Sequence, residues 1–570
     1  MAWLHSSTAY LNRRHVYYAA VLIALITGPV LIEPAQAAEP GRFAQIMQTK
    51  ITAALNANRL ICRGEMICGI AHLPGFYAVR GYQPAWIDER RSLEPAEELV
   101  RCIEAANEDG LNPHAYHLEA IRDLLQKLRN AHSAGQEPEP DLAADLDFLL
   151  TDAFLLLASH LRAGRVNPQT ITTEWVVAIG VEEDVFRALR TAVESGRVGE
   201  TLDGLRPPHP DYKALQTALK YYRELGQSGE WSRLPENASW DRGQRGEIAD
   251  RLRERLIRSG DLEQSTEVEG DADLELFEGL SRFQARHGLD ADGRLGPHTL
   301  RALNVSLRER LRQVELNLER WRWLPQDLGR CHIRVNVPQF ELAVVEEGGA
   351  VMNMRVVVGR HYRRTPVFSG QMSYIVFNPD WNIPRRIAVE DILPKVRSDS
   401  NYLSREKIHV FEGWSRDATQ LDPSGIDWSQ VTAQNFHYRL KKEPGPRNDL
   451  GRIKFMFPNK FDVYLHDTPS KKLFERSMRG FSSGCIRVEK PLDLAEYVLK
   501  DVPGWSRSAV MAAIDVGQQR SVSLPRKIPV HLIYMTAGVD PSGRVLFFPD
   551  IYERDPALDR ALNEKPPRFS

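Results

Sequence analysis

The hydrophobic pattern changes period at about Arg330, and that switch limits what the chain can fold into. Before it, apolar residues recur at three- and four-residue spacing, as in the stripe Leu142, Leu146, Leu149, Leu150, Ala153 and Leu157. After it, Ile333, Val335 and Val337 alternate with His332, Arg334 and Asn336, and Glu346-Glu347-Gly348-Gly349 supplies a hairpin turn into residues 354–358. A helical half followed by a strand-rich half predicts a multidomain α+β protein. The 570 residues agree, since about 150 per domain gives three or four units. With 42% apolar and 26% charged residues the chain can bury real cores. Its 74 basic and 76 acidic side chains leave a net charge of −2, too small a field to hold nucleic acid or an anionic membrane, and neither is expected as a partner.

Composition breaks divide the helical half. A helical scaffold is expected over 39–242, with proline-rich interruptions at 135–141 and 205–212. Residues 243–304 read as a three-helix module. Ile248, Leu252 and Leu256 make one stripe, and Leu276, Leu280 and Phe283 make a second that ends at Gly288. An Asp292-Gly293 turn follows, and Pro297 opens the third helix. A linker helix occupies 305–329, the β-rich domain 330–540, and a tail 541–570. Within the β-rich domain the strand signal weakens at about 395–450, where Trp414, Trp428 and Glu443-Pro444-Gly445-Pro446 appear. That length suits either an insertion capping a site or surface decoration.

The N-terminus orders Arg13, Arg14 and His15 before an uncharged apolar run at 16–32 and then Ala35-Gln36-Ala37-Ala38. This is the layout of a secretory signal over 1–38, placing the mature chain in the periplasm. The competing reading is an uncleaved membrane anchor, which the shortness of the run and Pro29 disfavour. Five cysteines in an exported chain leave at least one outside an internal pair. Cys62 and Cys68 are close enough for a small disulfide loop. Cys102, Cys331 and Cys485 have no obvious partner, and buried inert thiols account for the first two.

The chemistry concentrates in FDVYLHDTPSKKLFERSMRGFSSGCIRVEKP, residues 461–491. If 462–466 is a strand, Val463 and Leu465 face the core while Tyr464 and His466 share the other side. Cys485 then returns the chain beside His466, with Gly484 allowing close backbone approach. A thiol is mostly protonated at neutral pH and needs a base, and one imidazole can take that proton and later give it to a leaving amine. Backbone donors at Gly484 and Cys485 suit an oxyanion, and Arg487 offers a fork for a carboxylate or carbonyl. Asp467 follows the histidine, but adjacent strand residues point oppositely, so its carbonyl rather than its carboxylate is expected at the imidazole.

These residues also carry resemblances. FQARHGLDADGRLGPHTLRALN, residues 283–304, resembles the peptidoglycan-binding domain family; the competing reading is a helical packing module without a ligand. His466 followed by Ser482-Ser483-Gly484-Cys485-Ile486-Arg487 resembles the L,D-transpeptidase motif, with Ser483 where a histidine is usual. That departure, and the segments RRTPVFSGQMSYIVFNPDWNIPRRIA, GRIKFMFPN and LHDTPS, resemble the multidomain YcbB-type branch of murein L,D-transpeptidases. The resemblance implies Cys485 as nucleophile and His466 as base. Ser483, Gly484 and Cys485 would stabilise the oxyanion, Tyr464 would line the pocket and Arg487 would orient substrate. Asn378 and Trp381 are placed at the pocket too, against their alternatives as a turn residue and a core anchor.

The implied reaction joins donor and acceptor peptidoglycan stem peptides through a thioester, forming 3→3 cross-links without metal or organic cofactor. Carbapenems are expected to acylate the same sulfur, and cell-wall synthesis proteins are further expected partners. Three alternatives stand beside it: an L,D-carboxypeptidase with water as acceptor, a non-catalytic wall-binding scaffold, and zinc hydrolysis on His466 and Asp467, which lack further ligands at zinc-like spacing.

Overall fold

The computed structural model describes residues 41–87, 92–136, 139–175, 182–263, 272–415 and 417–564. The expected export signal at 1–38 lies outside them. Among the described residues no helix is long and apolar enough to cross a membrane.

The scaffold packs around the helix Pro140–Ala163, which is buried on nearly every side rather than along the expected stripe. A helix in that position must satisfy its polar residues internally. Asp147 accepts from the Tyr77 hydroxyl at 2.7 Å and from the N–H groups of Ala85 and Trp86. Asp152 accepts from Gly69 N–H at 2.6 Å and faces His117 Nε2 at 2.8 Å. Cys62 is a free thiol buried in this core, so the small disulfide loop with Cys68 is not formed; burial and nearby Asp145 push its pKa up to about 12.

The three-helix module consists of Glu247–Arg258, Ala272–Arg286 and Pro297–Leu303 around Leu252, Leu256, Leu276, Leu280 and Phe283. Its motif residues lock one turn. The Gln284 amide donates to Asp292 Oδ1 at 2.8 Å and to the Arg294 carbonyl, and its oxygen accepts from Gly293 N–H at 2.8 Å. Helix Leu307–Arg322, opened by a Ser306/Glu309 capping box, then joins the scaffold helix Pro210–Gln227 to the β-rich domain.

Strands of the β-rich domain are numbered from its start: β1 (Cys331–Asn336), β2 (Glu341–Glu346), β3 (Gly349–Gly359), β4 (Phe368–Phe377), β5 (Trp381–Ile383), β6 (Ile408–Glu412), β7 (Gln420–Leu421), β8 (Tyr438–Lys442), β9 (Ile453–Met456), β10 (Leu465–His466), β11 (Gly480–Ser482), β12 (Ile486–Val488) and β13 (Arg520–Ile533). The main sheet runs β11-β3-β12-β10-β9-β4-β13-β1-β2, and β2 pairs again with β3. The pairing therefore closes a circuit from β3 through β12 and on to β2, leaving only the short β11 as an edge strand beside β3. Ile333, Val335 and Val337 face its core as their alternation predicts. The opposite face is covered as well: Arg334 pairs with Asp211 of the scaffold at 2.9 Å, and Asn336 bonds the Met535 backbone.

A second sheet, β5-β8-β6-β7, has its own apolar cluster from Ile383 to Leu440, including Ile392, Leu403 and Val410. The insertion expected at about 395–450 thus has a sheet of its own that starts upstream, at Trp381. The expected tail at 541–570 is no tail where it is described. Val545–Phe547 pairs with Ala537–Val539, and Tyr552 and Leu558 lie in the main β core, because the barrel end needs apolar cover.

Candidate active site

The site floor is built by β9, β10 and β12. Alternation drives Ile453, Phe455, Leu465, Ile486 and Val488 into the core. Lys454, Met456, Tyr464, His466, Cys485 and Arg487 all line the opposite side, in one cleft of about 1340 Å³. Register fixes their order. His466 sits opposite Lys454 on the antiparallel side and Arg487 on the parallel side, so these three share a rung. Tyr464 and Cys485 lie one step along, where the Ile486 N–H donates to the Tyr464 carbonyl at 3.1 Å.

The other wall comes from the second sheet and its helices, with Trp381, Arg386, Glu390, Asp391 and Tyr402 facing the cleft. Arg363 ties this wall to the cysteine loop. Its guanidinium donates to Ser483 Oγ at 2.7 Å, to Glu390 at 2.6 Å and to both oxygens of Asp391. The chain at 388–392 is a π-helical turn, a deviation that turns the two carboxylates toward that arginine.

Cys485 is a free thiol. Burial pushes its pKa up; the backbone N–H of Tyr464, the charge of Lys454, the Tyr464 phenol and Arg487 all oppose that rise. His466 is buried, and desolvation together with the Arg487 and Lys454 charges lowers its pKa to about 3. Its Nδ1 lies 2.5 Å from the Asp467 carbonyl oxygen, which can only accept, so Nδ1 carries the proton and Nε2 is left as the basic nitrogen. The Asp467 carboxylate turns away, accepting from Arg452 N–H at 2.8 Å and from Lys471 at 2.6 Å. The resting pair is therefore a neutral thiol and a neutral imidazole.

The cysteine loop is pinned from behind. Gly484 adopts φ +120°, its carbonyl accepts from Thr365 Oγ1 at 2.8 Å, and the Ser482 hydroxyl donates to the Cys485 carbonyl at 2.5 Å. Two sequence expectations are corrected here. The Gly484 N–H is spent on Ser482 Oγ at 3.1 Å and does not serve as an oxyanion donor. Asn378 is a buried turn residue with φ +44°, whose amide holds the Ala513 and Ile514 carbonyls and whose oxygen accepts from Arg452; it does not line the cleft. Trp381 packs against the core of the second sheet and also faces the cleft, so both of its readings hold; Ser483, Tyr464 and Arg487 face the cleft as well.

Sequence reasoning missed Lys454 and Arg363. Lys454 was legible in GRIKFMFPN, where Ile453 and Phe455 alternate with it in a strand. Arg363 was not, because its partners come from two remote segments, 390–391 and Ser483.

A barrel-like β domain in which a thiol just before β12 and an imidazole on neighbouring β10 line one cleft defines a cysteine-and-histidine site. Residues 330–512 match the L,D-transpeptidase catalytic domain, 245–303 match a "Putative peptidoglycan binding domain", and 71–219 match a scaffold domain. The chain thus carries an L,D-transpeptidase catalytic domain joined to a peptidoglycan-binding domain. A curated "Putative L,D-transpeptidase" from Haemophilus influenzae is 35% identical over 251 residues, which are 44% of this chain and 49% of that protein. The match spans about half the length of that relative. A solved L,D-transpeptidase from Xylanimonas cellulosilytica aligns at 14% identity and TM-score 0.16, covering 53% of this chain and all of that one.

Proposed function

We propose that the protein is a cysteine-dependent L,D-transpeptidase that forms 3→3 cross-links between peptidoglycan stem peptides. The observation that carries this reading is Cys485, a free thiol in the same cleft as a neutral, Nδ1-protonated His466. Cys485 Sγ attacks the carbonyl of the third residue of a donor tetrapeptide while His466 Nε2 takes the thiol proton. A C–S bond forms, and the tetrahedral oxyanion is stabilised by the Cys485 N–H, the donor that remains once Gly484 is committed to Ser482. The C–N bond to the terminal D-alanine then breaks, and the imidazolium returns the proton to its amine. A side-chain amine of a second stem attacks the thioester, gives its proton to His466 and restores the thiol. The same sulfur would open a carbapenem ring.

Because imidazole and thiol are both neutral at rest, proton transfer accompanies attack instead of preceding it. The cleft of about 1340 Å³ offers room for peptide substrate, and the match to a peptidoglycan-binding module supports a substrate anchored in the wall. Such a substrate requires export, which the signal-like order at 1–38 would provide, with the mature chain in the periplasm.

Incubation of the mature protein with tetrapeptide muropeptides tests the proposal. Dimers lighter than two monomers by one alanine are expected, and Cys485→Ala should give none while keeping its fold. Tripeptides alone would identify a carboxypeptidase, and dimers from Cys485→Ala would refute the cysteine mechanism.

A further inference from the structure

Two cations on the cleft floor are left by the protein without a counter-ion. Lys454 and Arg487 flank His466 on one rung, each on the strand hydrogen-bonded to β10. Adjacent strands lie about 4.8 Å apart, so both side chains rise beside the imidazole. The Lys454 ammonium rests 3.7 Å from the centre of the Tyr464 ring. Among the described residues neither cation makes an ion pair, and Arg487 Nε is buried without a hydrogen-bond partner.

Nearby carboxylates are engaged elsewhere. Asp449 pairs with Lys442 at 2.9 Å, Asp380 with Lys441 at 2.5 Å and Asp467 with Lys471 at 2.6 Å. Asp462, whose charge also reaches Lys454, is exposed to solvent. Arg363, another cation lining the cleft, shows the contrast in charge pairing: its guanidinium meets the carboxylates of Glu390 and Asp391 as well as Ser483, although its Nε, like that of Arg487, has no hydrogen-bond partner. Removing a cation from water without a partner is costly, and burial lowers the proton affinity of both Lys454 and Arg487. A ligand carboxylate would relieve both at once.

The chemistry identifies which carboxylate. The amine that His466 protonates belongs to the departing residue, and the carboxyl carbon of that residue is two bonds from the amine nitrogen. Groups flanking the imidazole therefore reach it. We infer that Lys454, together with Arg487, forms a subsite for the α-carboxylate of the residue that acyl transfer releases. This rests on the proposed roles of Cys485 and His466. It makes Lys454 a specificity residue, selecting donors whose scissile residue is the last one, because a further residue converts that carboxylate into an uncharged amide.

Cys485→Ala holds a donor without turning it over, so calorimetric titration of the full-length variant reads binding apart from chemistry. The probes are a stem tetrapeptide, the same peptide with a C-terminal amide, and the pentapeptide with one more D-alanine. Cys485→Ala should prefer the free tetrapeptide over the other two by about tenfold, the scale of one charge-assisted contact. Adding Lys454→Met should abolish that preference, and Lys454→Arg should keep part of it. A merely structural lysine would weaken all three peptides equally. Should Lys454→Met fail to fold, Lys454→Gln and the acid-to-amide ratio of Cys485→Ala decide. A preference that survives loss of Lys454, or is absent from Cys485→Ala, overturns the subsite. If the preference depends on Lys454 yet the wild-type protein transfers no acyl group, the reaction proposal falls and the subsite stands.

Discussion

Arg363 donates to Ser483 Oγ at 2.7 Å through the same nitrogen that pairs with Asp391, joining the cysteine loop directly to the second sheet. Its side chain is 3% exposed, while its carboxylate partners are 33% and 45% exposed, so the pair is held by geometry more than by burial of both charges. The consequence is a mechanical link between one wall of the cleft and the loop that carries Cys485.

Arg363→Lys keeps the charge but loses the fork that spans three partners. It should cost on the order of 1–2 kcal/mol in stability and lower cross-linking more than it lowers Tm. Hydrogen exchange should quicken in the helices at 385–405. Unchanged exchange there, with wild-type activity, would show that the link is not needed.

The low pKa of His466 links stability to pH. Its ordinary value of 6.5 applies to the unfolded chain and about 3 to the folded one. Between those values the unfolded state binds a proton that the native state does not. Stability is therefore complete above pH 6.5 and is lost as pH falls toward 3. His160, at about 3, and His531, at about 4, act in the same direction. Melting temperatures from pH 8 to 3 should fall below about pH 6.5, and His466→Gln should flatten that slope by its own share. A variant with the wild-type slope would contradict the buried, neutral imidazole.

Gly484→Ala tests the loop. A Cβ would meet nothing closer than the Arg364 carbonyl at 3.6 Å, so space permits the methyl group, but φ +120° does not suit an L side chain. The strain is about 1–3 kcal/mol, and relieving it rotates the Cys485 amide. Carbapenem acylation, followed by intact mass, should slow at least tenfold with Tm lowered by only a few degrees.

Gln284→Ala acts in the other domain. It strips the Gly293 N–H and the Asp292 side chain of a shared partner within the turn. A loss of about 1–3 kcal/mol is expected, seen as faster exchange over 284–299 and weaker retention on sacculi. Carbapenem acylation of Cys485 should be unaffected, because the module lies outside the cleft.

The local order of the chain was enough to announce much of this. Period-two alternation identified Ile333, Val335 and Val337 as core, and the same rule placed Tyr464 with His466 and pointed the Asp467 carbonyl, not its carboxylate, at the imidazole. The three helices of the 243–304 module followed from stripes and caps. Such features depend on neighbours within a few residues, and those are written in sequence order. Gly484 misled because a glycine before a nucleophile reads as an oxyanion donor, whereas the Ser482 hydroxyl turns back onto its N–H. Asn378 misled for a different reason, since its partners near residue 514 are distant in sequence.

What the sequence determined alone was the division into helical and β-rich halves and the placing of Tyr464 and His466 on one strand face, because periodicity and short motifs are local. Only the tertiary structure decided that Lys454 and Arg487 flank His466, that Arg363 bridges the two walls, and that Tyr552, Leu558 and Leu562 complete the β core. Those arrangements depend on strand register and on contacts between remote segments, and a closed barrel fixes them only when all of its strands are in place.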